Sequence, residues 1–172
     1  MNVKFLNPFL DAAHEVLEVE VQVQMKRGNL TLQKSALTTN DITVLINLIG
    51  GVQGVVLYGM SKATALNLVS RMMGQTFEEF DNLAESGIAE LGNVISGRAT
   101  VKLAEAGYDS TISPPTLITG KSVQISTLDF SRVVVPMTTE LGDIVVHLAL
   151  RESPKNATEN YVPLIQNAVK GM

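Results

Sequence analysis

The sequence predicts an α+β domain with a mainly antiparallel sheet. Its β-branched runs come in pairs across short turns, Ile42–Leu48 with Val52–Met60 and Arg132–Thr138 with Asp143–Leu150. Such pairs read as hairpins, which belong to antiparallel sheets. Long stretches at helical spacing precede and follow them. The order helix, strand, hairpin, helix then occurs twice, the hairpins starting at Ile42 and Arg132, 90 positions apart. An internal duplication and a coincidental α+β ordering both fit that pattern.

The elements follow in chain order. Asn7-Pro8 reads as a cap followed by a first-turn proline, opening a helix from about Pro8 to Leu17 on Phe9, Ala12, Ala13, Val16 and Leu17. Val19, Val21 and Val23 alternate with polar residues, which predicts a strand, and Arg27-Gly28-Asn29 a turn. The run Ile42–Ser61 holds twenty residues without a charge, long enough to span a bilayer. Gly50-Gly51 at its middle, with Asn47 and Gln53, makes a buried hairpin the better reading. Ser61 caps a helix to about Met73, stopped by Gly74. Asn82, with Glu85 three residues on, reads as a capping box that opens a long helix to about Ala106, closed by Gly107. Ser113-Pro114-Pro115 begins an extended segment to Gly120, and Val123–Leu128 alternates weakly. The second hairpin turns at Glu140-Leu141-Gly142, and Tyr161–Val169 reads as a short helix.

Composition bounds the function. The 172 residues suit one domain, 1–172, with 153–172 as a C-terminal extension or short helix. Lys and Arg number 13 against 17 Asp and Glu, for a net charge of −4, and 45% of residues are hydrophobic. That is too apolar for a disordered chain and too acidic for phosphate-backbone binding to dominate. Without Cys there is no disulfide framework, thiolate nucleophile or zinc ribbon. Two His, His14 and His147, leave little for a His-rich metal site. Gly120-Lys121-Ser122 resembles the end of a P-loop, but Pro115 stands where its first glycine belongs. Without a signal-peptide core the location expected is cytoplasmic.

The long helix is the informative one. At about 100° per residue, Leu91, Ile95, Ala99 and Leu103 fall within about 60° of Ile88 and form a core stripe. Ser86, Glu90, Asn93 and Gly97 form one line on the opposite side. Gly87, Gly92 and Gly97 each cost about 1 kcal/mol against Ala in a helix. Gly92 faces the core, where it permits close helix–sheet packing. Gly97 faces outward, where a glycine lets another backbone or a bulky side chain approach. The expected docking face has Glu90 and Asn93 as its reaching side chains.

Ser86-x3-Glu90-x2-Asn93 on a helix, followed by Pro114-Pro115, resembles the signature of the CheC/CheX/FliY phosphatases of bacterial chemotaxis. The family's proline follows the Asn after twenty-two residues. Here Pro114 and Pro115 follow Asn93 after twenty and twenty-one. Members of the CheC type carry the motif twice. The matching stretch on the first helix is Asn7-x3-Asp11-x2-His14, a degenerate copy, so the single intact motif is most similar to CheX. The resemblance implies a large antiparallel sheet, a pseudo-twofold repeat and a homodimer formed by pairing sheets.

It also implies a substrate, the aspartyl phosphate of a CheY-type response regulator. An acyl phosphate needs a water held in line with the breaking bond and Mg²⁺ on the phosphoryl oxygens. A short neutral amide suits that task, because it donates and accepts without repelling the phosphoryl group. The resemblance assigns Asn93 to the water and Glu90 to a salt bridge with the partner's active-site Lys. Ser86 and Gly97 form the docking rim. The chain itself is expected to hold no cofactor and no metal, the Mg²⁺ belonging to the partner regulator. The rival reading is a non-catalytic binding module of the same fold, like CheC-type adaptors or flagellar-switch domains.

Overall fold

The computed structural model describes residues 3–34, 36–127 and 131–154. The expected helix at Tyr161–Val169, like the rest of the chain from 155 on, lies outside the described residues.

Helix α1 spans Leu6–Val16 and is entered through a 3-10 turn, Val3–Phe5. It starts two residues before the expected site, with Phe5 at the cap and no side-chain capping bond. Pro8 is tolerated there because the first-turn N–H groups have no intrahelical acceptor to lose. The strand expected over Val19–Val23 does not form. Leu17–Val21 continues instead as a π-helical turn ending at Gln22, whose φ is 59°. Helical continuation buries Leu17 and Val21 together, four residues apart, and leaves Val19 69% exposed. The alternation of valines was real, but core packing favoured the helical period over it.

The first half then supplies β1 (Lys26–Arg27), β2 (Thr31–Gln33), β3 (Leu37–Thr38) and the hairpin β4 (Ile42–Gly50) and β5 (Val52–Met60). Helix α2 (Lys62–Met73) has the expected cap, Ser61 accepting from the Thr64 N–H, and ends at Gly74 with φ 64°. Helix α3 spans Asn82–Glu105. Its cap is Asp81, not Asn82. The Asp81 carboxylate accepts from the Ala84 N–H at 2.9 Å, where its charge also complements the helix dipole. The second half adds β6 (Ser110–Ile112), β7 (Thr116–Thr119), β8 (Gln124–Ile125) and the hairpin β9 (Arg132–Thr139) and β10 (Gly142–Glu152).

All pairings are antiparallel, in the order β1-β9-β10-β5-β4-β6, with β2 also on β9 and β7 also on β4. The halves exchange strands. First-half β1 and β2 edge the second hairpin, and second-half β6 and β7 edge the first, while β3 pairs with β8. At the centre β5 pairs with β10, Leu57 lying opposite His147, 90 positions away. Such reciprocal exchange is what a twofold relation between halves requires, so the repeated element order is a structural repeat.

The helices cover one face of the sheet. Val44, Ile46, Val56, Tyr58, Val146 and Leu148 meet Phe9, Leu68, Ile88, Leu91, Ile95 and Leu103 in one core. Leu57, Ala149, Val134 and His147, on the other face, are buried too. Buried on both faces, β5 carries no charge, which explains the membrane-like run. No described helix is long and apolar enough to cross a membrane.

Candidate functional site

Helix α3 lies across the sheet with its three glycines in different surroundings. A Cβ on Gly87 would meet Val69 Cγ2 at 2.7 Å and Met73 Cε at 2.8 Å, so this glycine lets α2 pack close. One on Gly92 would meet Val44 Cγ1 at 2.9 Å and Tyr58 Cδ2 at 3.3 Å, so this glycine seats the helix on β4 and β5. Beneath it the Tyr58 and Ser96 hydroxyls share a buried hydrogen bond of 2.8 Å. Burial pushes the Tyr58 hydroxyl pKa up, keeping it protonated. A Cβ on Gly97 would meet only Ile112 Cδ1, at 3.9 Å, an ordinary contact. Internal packing therefore accounts for Gly87 and Gly92 and leaves Gly97 open, as its position on the wheel indicated.

The outward line is present. Ser86 and Glu90 are exposed, and Asn93 and Gly97 half-buried. Asn93 Nδ2 donates to Glu90 Oε2 at 3.3 Å, one helical turn back. Glu90 makes no salt bridge among the described residues. Ser86 is turned into its own helix, donating to the Asn82 carbonyl at 2.9 Å. Thr100 likewise donates to the Gly97 carbonyl at 2.7 Å. The nearby cations are neutralised by Glu15 of α1, which pairs with Lys102 at 2.6 Å and Arg98 at 3.9 Å. The Lys102 hydrogen bond holds the Glu15 carboxyl below its usual range. Sequence reasoning missed the flanks. Leu83 and Val101, 50% and 56% exposed, lie on the same side of α3 as Glu90. Their matching wheel angle was a signal available to find them.

The prolines follow Ile112, the nearest neighbour of a Cβ on Gly97. Between Ile112, paired with Leu48, and Thr116, paired with Leu45, three residues of the edge strand oppose two of β4. Ser113, Pro114 and Pro115 thus form a bulge. Ser113 closes it by donating its N–H to the Asn47 carbonyl at 2.9 Å and accepting the Asn47 N–H on Oγ at 3.0 Å. Two residues without N–H groups fit there because the bulge frees the ladder from needing them.

Asn7, Asp11 and His14 are exposed on α1, His14 lying 3.7 Å from Glu18. The repeat relates α1 to α3 differently from the motif alignment. Matching the buried stripe of α1 to that of α3 shifts the first helix by 86 positions. Phe9 and Ile95, Ala13 and Ala99, and Leu17 and Leu103 obey the same shift, and all are buried. By it Asn7 stands opposite Asn93, but Lys4 stands where Glu90 does. Lys4 is engaged by the Tyr108 hydroxyl and, at 3.5 Å, by Glu152. The acid position of the second copy is therefore reversed in charge.

The family model of the chemotaxis phosphatase CheX matches residues 42–138, more than half of the chain. The chain belongs to the CheX family. The CheY-P phosphatase CheX of Thermotoga maritima is 30% identical over 126 residues, covering 73% of this chain and 81% of that protein. A CheC-like superfamily protein from Shewanella superposes with TM-score 0.80 at 27% identity, over 88% of this chain and 99% of that one. The CheX of the Borrelia burgdorferi CheX–CheY–BeF3–Mg²⁺ complex superposes with TM-score 0.73 at 28% identity, over 88% and 100%. The antiparallel α+β architecture of this CheX-family chain is thus shared by its structural relatives. No described group of three or more His, Asp or Glu is placed to hold a metal ion.

Proposed function

We propose that this chain hydrolyses the aspartyl phosphate of a CheY-type response regulator and so ends its signal. One observation carries the reading. Glu90 and Asn93 project together from a nearly uncharged face of α3, with Gly97 clear beside them. Asn93 places the attacking water, and Glu90 pairs with the active-site Lys of the docked regulator. Ser86 and Gly97 form the rim against which the regulator rests. The water's oxygen bonds to phosphorus as the bond to the aspartyl oxygen breaks. The carboxylate leaves as the anion, and the water's proton ends on inorganic phosphate. Mg²⁺ on the phosphoryl oxygens belongs to the regulator, in keeping with the Mg²⁺ of the Borrelia CheX–CheY complex. The Thermotoga relative's activity as a CheY-P phosphatase supports the same assignment.

The reading treats 1–172 as one domain that works in the cytoplasm as a homodimer joined at sheet edges. The edge strand β2, whose Leu32 is 62% exposed, supports such pairing. Sedimentation of the full chain checks it.

The test is phosphate release from a phosphorylated CheY-type receiver domain. The wild-type chain accelerates it, while Asn93→Ala and Glu90→Ala lose most of the acceleration. Unchanged decay across a panel of receiver domains removes the enzyme and leaves a binding module.

A further inference from the structure

We infer that Glu90 is also a positioning residue for Asn93, fixing which end of its carboxamide meets the attacking water. This rests on the reading above and adds to it. Asn93 Nδ2 lies 3.3 Å from Glu90 Oε2. An ionised carboxylate accepts hydrogen bonds and cannot donate them. The flipped amide would set Oδ1 against Oε2, two acceptors facing each other. Glu90 therefore selects one orientation, with the NH2 group held and Oδ1 left for other partners.

That orientation is the useful one. A water attacking phosphorus needs a free lone pair aimed along the breaking bond. An acceptor such as Oδ1 takes one of the water's hydrogens and leaves its lone pairs free. A flipped amide would donate to the water's oxygen, engaging one of its two lone pairs and lowering its nucleophilicity. The opening beside Gly97, where a Cβ would meet nothing closer than 3.9 Å, leaves room for this arrangement. Among the described residues, the amide is held by Oε2 of Glu90 alone. Glu90 is exposed, and its second oxygen remains for an ammonium group of the partner, so one carboxylate orients the amide and docks the regulator at once.

The two roles separate kinetically. Decay of a CheY-type receiver domain, phosphorylated with acetyl phosphate in Mg²⁺, is followed against increasing concentrations of the full chain. Glu90→Gln keeps the shape, loses the charge and lets the amide pair in either orientation. If Glu90 orients Asn93, the rate at saturation falls on the order of tenfold or more, since small misplacements of a reacting group cost up to about a hundredfold. The saturating rate of the double variant Glu90→Gln/Asn93→Ala then equals that of Asn93→Ala alone, because Glu90 acts through the amide. A Glu90→Gln variant that needs more protein yet reaches the wild-type saturating rate within about twofold overturns the inference and leaves docking as the sole role. So do effects of the two substitutions that multiply. Asn93→Ala with undiminished acceleration overturns the underlying reading instead, so the two failures are distinguishable.

Discussion

A single methyl group separates the roles of two glycines on one helix. Gly97→Ala places a Cβ 3.9 Å from its nearest neighbour. It should gain up to about 1 kcal/mol from helix propensity, read as a higher midpoint in urea. Gly92→Ala drives a Cβ to 2.9 Å from Val44 and should lose about 1–3 kcal/mol, because the core cannot yield. Gly97→Phe should fold yet lose phosphatase activity, by filling the space the docked regulator needs. His147 is a second residue whose surroundings set its behaviour. It is 6% exposed, and burial, reinforced by the nearby Arg132 charge, lowers its pKa to about 4. The unfolded imidazole, with a pKa near 6.5, binds its proton first as pH falls. Stability is therefore full above about pH 6.5 and declines between there and about pH 4, by about 3 kcal/mol. His147→Leu should flatten that part of the stability–pH profile in urea titrations.

Helix ends were largely legible in the sequence, and their errors are instructive. Ser61 and Gly74 bound α2 as expected, since each satisfies orphan backbone groups by purely local geometry. At α3 two capping residues, Asp81 and Asn82, stand side by side, and only the backbone's turn decides which one faces the Ala84 N–H. Asp81→Ala should cost about 1 kcal/mol and Asp81→Asn much less, measured by equilibrium unfolding. The π turn at Leu17–Val21 was illegible for another reason. Three alternating valines satisfy a strand, and only the core that takes up Val21 selects the helical path. The shortest strands were hidden as well. β1, β3 and β8 have two residues each, and pairing across the chain makes them strands.

For the whole molecule, the swapped halves predict an uneven stability. The β5 and β10 strands, paired over nine residues at the centre and buried on both faces short of Arg151 and Glu152, join one half to the other. Their amides should exchange with solvent only through global unfolding, while β1 and β2 at the edge exchange by local opening, a difference hydrogen-exchange mass spectrometry resolves. By itself the sequence determined the hairpins, the long helix and the outward line of Ser86, Glu90, Asn93 and Gly97. Each of these follows from a period of two or 3.6 residues and from turn chemistry within reach of a few neighbours. The tertiary structure decided what depends on distant partners. It set how the halves exchange edge strands, and which glycines lie against packing and which lies open. It also placed Lys4 rather than an acid opposite Glu90, and turned the prolines into a bulge beside α3. Those outcomes depend on which side chains fill which space across the sheet, and chain-local periodicity carries no record of that.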